Sequence, residues 1–171
     1  MSAYELKGIY RDCLRTSQGK LISDSGWRSN MIVLRCRTLL SSFLKNDTAI
    51  GIRALQVGRG DPSWDTTPPP LPDPNTLNAL TDATPFELPV AQLTLEYLDS
   101  SDSVIATPSN RLQITATLGP NVPPTPNPYP LREFALFGQL GGVRQMIDYI
   151  RHPLIQKDAT TTLERKVRLI F

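Results

Sequence analysis

The placement of proline constrains this chain more than any other feature. All but two of its 16 prolines fall in two stretches, Pro62–Pro89 and Pro120–Pro130. Each proline fixes φ near about −65° and removes a backbone N–H, so neither stretch can run as a helix or a central strand. Stiff extended inserts are therefore expected at about 62–89 and 119–130, with regular structure built from what lies between them. The first insert carries Trp64, Leu71 and Leu77 as isolated apolar points, too few for a core of its own. It reads as an arm pinned at intervals. A loop of this length is uncommon inside a compact domain and, where it occurs, is functional or packed on a partner.

The remaining segments show two periodicities. From Ser25 to Lys45 the residues Ile32, Cys36, Leu39, Leu40 and Phe43 share one face of a helix, which Asp24 or Ser25 can cap and Asn46-Asp47 can end. Ile50 to Val57 reads as a strand closed by the turn Gly58–Pro62. After Pro89 the period falls to two: Leu93, Leu95 and Tyr97 share a face, as do Leu112, Ile114, Ala116 and Leu118. Asp99–Ser103 supplies a polar turn between them, and Val104–Thr107 a further short strand. Arg132–Gly138, Gln145–Arg151 and Thr161–Phe171 complete the pattern, the last with Leu163, Val167, Leu169 and Phe171 on one side. In that strand Arg165, Lys166 and Arg168 read as a solvated face. The expected fold is α+β and mainly β: one N-terminal amphipathic helix on a mostly antiparallel sheet or sandwich of about six or seven strands. Residues 1–25 form an N-terminal segment, and 26–171 a single domain.

Several function classes are disfavoured by the same residues. A net charge of +2 gives no basic excess for a nucleic acid. Nowhere do about eighteen apolar residues run together, so no transmembrane segment is expected. Glu5 and Lys7 interrupt the apolar run that a secretory signal needs, which points to synthesis in the cytoplasm without a signal peptide. Cys13 and Cys36 lack metal-ligand spacing and fit a reducing compartment, with Cys36 as a core residue, although a disulfide stays open. His152, followed by Pro153, has no triad partner in sequence, and the carboxylate pairs Asp61 with Asp65 and Asp99 with Asp102 sit in turns where Asp serves the local backbone. Gly58-Arg59-Gly60 lacks the third glycine of a nucleotide loop. No catalytic, cofactor-binding or metal-binding residue is expected. Trp64, Leu71, Phe86 and Tyr129 are the candidate subunit-contact anchors, because they are large apolar residues in segments with little local core to enter.

Two segments carry a resemblance. The first is Gly26-Trp27-Arg28-Ser29-Asn30 followed by Gly51-Ile52-Arg53 and the run Leu55 to Asp65, Leu-Gln-Val-Gly-Arg-Gly-Asp-Pro-Ser-Trp-Asp. The second is Tyr129 to Gly138, Tyr-Pro-Leu-Arg-Glu-Phe-Ala-Leu-Phe-Gly, with Ile150-Arg151-His152-Pro153 and Ile155-Gln156-Lys157-Asp158. Together they resemble small proteins of contractile phage-tail-like injection systems, and in layout the N-terminal attachment domain of phage tail-collar fibre proteins. That resemblance implies a structural part, not an enzyme. It would be a fibre-base or baseplate-peripheral adaptor, a trimer by preference, bound to copies of itself and to neighbouring baseplate, tail or fibre proteins. It also implies synthesis in a bacterial cytoplasm and incorporation into a particle or virion. Ending at Phe171 without a shaft or tip, the chain reads as an adaptor more than as a receptor-binding fibre. The alternatives are a carbohydrate or cell-surface binding module, or a collar or terminator subunit of the same particle.

Overall fold

The computed structural model describes residues 5–171. In chain order the elements are β1 (Lys7–Arg15), β2 (Leu21–Asp24), β3 (Arg28–Ser29), β4 (Met31–Ile32), α1 (Leu34–Leu44) and β5 (Ala49–Gly58). They continue with β6 (Phe86–Pro89), β7 (Leu93–Leu98), β8 (Val104–Ile105), β9 (Arg111–Leu118), β10 (Tyr129–Leu140), β11 (Val143–Met146), β12 (Asp148–Lys157) and β13 (Thr162–Ile170). A first sheet runs β2-β1-β13-β9-β7-β8 with β3 beside β1, and a second runs β4-β12-β10-β5-β6 with β11 beside β10. Every pairing among them is antiparallel.

The expected α+β class with six or seven strands and an N-terminal helix is therefore overturned. Strands take 49% of the described residues and helical segments 11%, and the helix is internal, set between β4 and β5. Its first half is missing for a tertiary reason. Arg28–Ser29 instead pairs with Ile9 and Tyr10, and Met31–Ile32 with Asp148 and Tyr149, so long-range ladder bonds override the helical period there. The expected caps have other uses: the Ser25 hydroxyl accepts from the Asp12 backbone N–H at 2.8 Å, and Asp24 pairs with Arg11. Val33 caps the helix without a side-chain bond. Residues 7–24 belong to the first sheet, where β1 runs against β13 over nine consecutive pairs.

The sheets enclose one main core. Tyr10, Leu14, Ile114, Ala116, Leu118, Leu163, Val167 and Leu169 meet Leu55, Val57, Leu131, Phe134, Leu136 and Ile150, and α1 adds Cys36 and Leu39. Gly138 lets the helix approach, since a Cβ there would stand 2.5 Å from Leu39 Cδ2 and 3.0 Å from the Gly51 and Ile50 carbonyl oxygens. Cys13 and Cys36 are both buried and free. A second, smaller core covers the outer face of the second sheet: Ala135, Phe137, Met146 and Tyr149 pack with Val33 and Leu80, against Met31 and Leu77. Those two leucines come from the proline-rich arm, which folds back onto its own sheet.

Candidate interaction site

Three features of this two-sheet fold could do something beyond holding it together: the clamped arm, a polar cluster inside the core, and an apolar groove at one open end.

The arm is fastened by side chains at the mouth of β5 and β10. Glu133 is wholly buried and accepts from the backbone N–H groups of Thr81 at 3.1 Å and Asp82 at 2.7 Å, and from the Tyr149 hydroxyl at 3.0 Å. Burial and the Glu133 charge push the Tyr149 phenol well above its ordinary range. Asp82 in turn accepts from the Arg59 backbone N–H, Nε and Nη2, each at 2.8 Å, and these bonds hold it below the usual carboxylate range. Arg132 forks onto Asp65 at 2.9 and 2.7 Å and donates to the Arg59 carbonyl, while Arg151 donates to the Pro69 and Pro70 carbonyls and lies 5.3 Å above the Trp64 ring. Gly58 has to be glycine, because a Cβ would come within 2.8 Å of Glu133 Oε1. Charge-assisted bonds of this kind are the strong ones, and they satisfy backbone groups that proline-rich chain cannot pair by itself.

Inside the main core, Arg165 is fully buried and donates from Nε and Nη2 to Asp12 at 2.6 and 2.8 Å. Its guanidinium carbon lies 3.6 Å from the Phe134 ring centroid. Arg165 Nη2 also donates to His152 Nε2 at 3.0 Å, and His152 Nδ1 donates to the Pro153 carbonyl at 2.8 Å. Both ring nitrogens are thereby committed in the neutral tautomer, and burial together with Arg165 pushes the imidazole down to about 4. Farther along β12, buried Asp148 accepts from the Leu136 N–H and from Asn30 Nδ2, each at 2.7 Å, and burial raises it to about 7. As general base His152 would first have to give up Arg165, so the cluster is arranged for cohesion. Among the described residues no group of three His, Cys, Asp or Glu side chains is placed to hold a metal ion.

The groove lies where β5 and β9 begin and β13 ends. It holds about 430 Å³ and is lined by Cys36, Leu39, Leu40 and Phe43 of α1, Gly51 and Ile52 of β5, Leu95 and Tyr97 of β7, and Leu112, Ile147, Leu169 and Phe171. Among the described residues no charged side chain lines it. Phe43, Leu95, Tyr97 and Phe171 remain 38–43% exposed around its mouth. Surface of this kind marks interaction sites on soluble domains.

The four anticipated anchors fall in different places. Tyr129 is 3% exposed, in the main core, and Phe86 is half-buried in β6 against the same core. Trp64 sits half-buried in the 3-10 turn Pro62–Asp65 beneath Arg151. Leu71 is 57% exposed and shares a shallow surface pocket with Met31, Tyr149 and Arg151. The structure brings Trp64 and Leu71 together against Arg151 and sends the other two inward. Arg165, read as solvated, is buried because its β13 face turns to the core. Of its neighbours, Lys166 stays partly exposed, and Arg168 is bound to Gln113 and stacked 3.9 Å from the Trp27 ring. Sequence reasoning missed Glu133 and Asp82. A carboxylate inside the apolar run of β10 was the available signal.

No protein-family model, curated protein or solved structure matches the chain, so the assignment of its role rests on these residues. Among the described residues no helix is long and apolar enough to cross a membrane.

Proposed function

We propose that the chain is a non-catalytic structural subunit of a contractile phage-tail-like injection particle or phage tail. It acts there as a fibre-base or baseplate-peripheral adaptor, made in a bacterial cytoplasm and held in the particle by contacts with further copies, as a trimer by preference, and with baseplate, tail or fibre proteins. One observation carries the reading. The two distant segments that resemble the attachment domains meet in space, with Gly58 opposite Glu133 in the β5–β10 ladder, and jointly form the clamp that holds the proline-rich arm. A pre-ordered arm gives contact area with little backbone entropy left to lose, which suits an assembly part.

The carbohydrate-binding alternative is less well served. A sugar stacks on an open aromatic face, and of the aromatic residues in the two inserts Tyr129 is in the core and Trp64 has Arg151 against its ring. Crosslinking and co-purification of the full chain with the tail, baseplate and fibre proteins encoded beside it tests the proposal. Stable complexes with them are expected. A chain that ignores every one of those proteins and binds a glycan array would overturn it.

A further inference from the structure

The apolar groove and the proline arm share no lining residue and have matching chemistry, and the arm's Pro74 carbonyl accepts from the Leu34 N–H at the start of the helix that lines the groove. Pro68-Pro69-Pro70-Leu71-Pro72 is exposed except for a half-buried Pro72, already fixed in place by Arg151, and its most prominent apolar group is Leu71 at 57% exposure. Stiff proline-rich segments of this kind dock in grooves lined by aromatic side chains, with an apolar residue as the knob. The groove offers Phe43, Tyr97 and Phe171 around an uncharged floor. Within its own chain the arm is held elsewhere: Arg151 takes the Pro69 and Pro70 carbonyls, the Leu34 N–H takes that of Pro74, and the residues around Leu71 (Ser29, Asn30, Met31, Tyr149, Ile150 and Arg151) share no member with the groove lining.

Charge supports the same pairing. From Asp61 to Asn110 the chain has eight Asp and Glu and not one Lys or Arg. Several of these acids are neutralised within the domain by Arg59, Arg132, Arg144, Arg111 and Arg168. Asp73, two residues past Leu71, has no cation: its Oδ1 takes the Asn75 N–H groups, and Oδ2 carries no partner among the described residues. On α1, Arg37 is exposed and forms no ion pair among the described residues. It precedes the groove residue Leu40 by three positions and so flanks the groove on the same side of the helix.

We infer that the Pro68–Pro74 arm of one copy occupies the apolar groove of a second copy, with Leu71 inserted between Phe43 and Tyr97 and Asp73 paired with Arg37 on the rim. The two patches differ, so the contact is head-to-tail, and in a closed oligomer such as the adaptor reading calls for it repeats around a ring. This rests on the adaptor reading, which it deepens by naming the homo-oligomeric contact.

Sedimentation velocity of the purified full chain at micromolar concentration reads it directly. The wild type is expected at a multiple of 19.0 kDa. Leu71→Glu, on an exposed side chain that leaves the core untouched, should weaken self-association at least about tenfold with an unchanged thermal midpoint. Arg37→Asp and Asp73→Arg should each weaken it, and the double charge reversal should restore it. A monomeric wild type, an unaffected Leu71→Glu, or a double variant no better than the singles would each overturn the inference. Binding to baseplate proteins by a monomer would sink this contact and leave the adaptor reading standing. A rescued ring that ignores those proteins would do the reverse.

Discussion

Replacing Asp148 by Asn should remove a proton-linked penalty that the folded chain carries above neutral pH. The carboxyl is buried between the sheets, accepts among the described residues from the Leu136 N–H and Asn30, and is raised by burial from 3.8 to about 7. Between those values the folded state binds a proton that the unfolded state has released, so stability contributed by this group is full below pH 3.8 and is lost as pH rises through 7. The difference of roughly three pH units corresponds to ~4 kcal/mol at about 1.36 kcal/mol per unit. Asn keeps the acceptor for Leu136. Its NH₂ can donate to Asn30 Oδ1, which is buried without a partner among the described residues, once that amide turns over. Urea denaturation of both proteins from pH 4 to 8.5 provides the assay, and the difference between them cancels every other titrating group. The variant should gain ~4 kcal/mol relative to wild type across that range. A difference flat to within about 1 kcal/mol would refute the account of Asp148 as a buried acid. His152 runs the other way: held down to about 4 from 6.5, it contributes stability that is present above pH 6.5 and lost as pH falls towards 4, a swing of ~3 kcal/mol. In wild type the two slopes oppose each other, and the Asp148→Asn variant should therefore expose the His152 slope on its acid side.

Three other perturbations address different parts of the fold. Arg165→Met strands Asp12 as an unpaired charge in the core and should lose about 3–5 kcal/mol of stability in chemical denaturation, much of it regained when Asp12→Asn is added. Gly138→Ala pushes a methyl onto Leu39 and two backbone carbonyls and should lower stability by about 1–3 kcal/mol, whereas Gly119→Ala, with open space around it, should not. Glu133→Ala frees two backbone N–H groups and the Tyr149 hydroxyl, so hydrogen exchange and proteolytic cleavage should rise in residues 66–84 well before the sheets open. Cleavage at unchanged rate would mean that the leucine contacts and the Arg59, Arg132 and Arg151 bonds hold the arm without Glu133.

Local pattern determined a good deal of this protein. The alternation in Leu93–Tyr97, Leu112–Leu118 and the final strand identified β7, β9 and β13, because period acts within a few residues, whereas the proline-marked inserts overran into strands: Phe86–Pro89 is β6 and Tyr129–Pro130 opens β10. Tertiary structure alone decided the rest. Arg28–Ile32 has a helical period but lies as two strand pieces, since its ladder partners are Ile9, Tyr10, Asp148 and Tyr149. Arg165 and Glu133 look like surface charges until Asp12, 153 positions away, and the Asp82 N–H, 51 positions away, are brought beside them. Alternation says which residues share a face of a strand, but only packing says which face is covered. A charge becomes a core residue when a distant partner makes its burial tolerable. The arm follows the same rule: proline made it extended, and Glu133, Asp82, Arg132 and Arg151 decided where it lies.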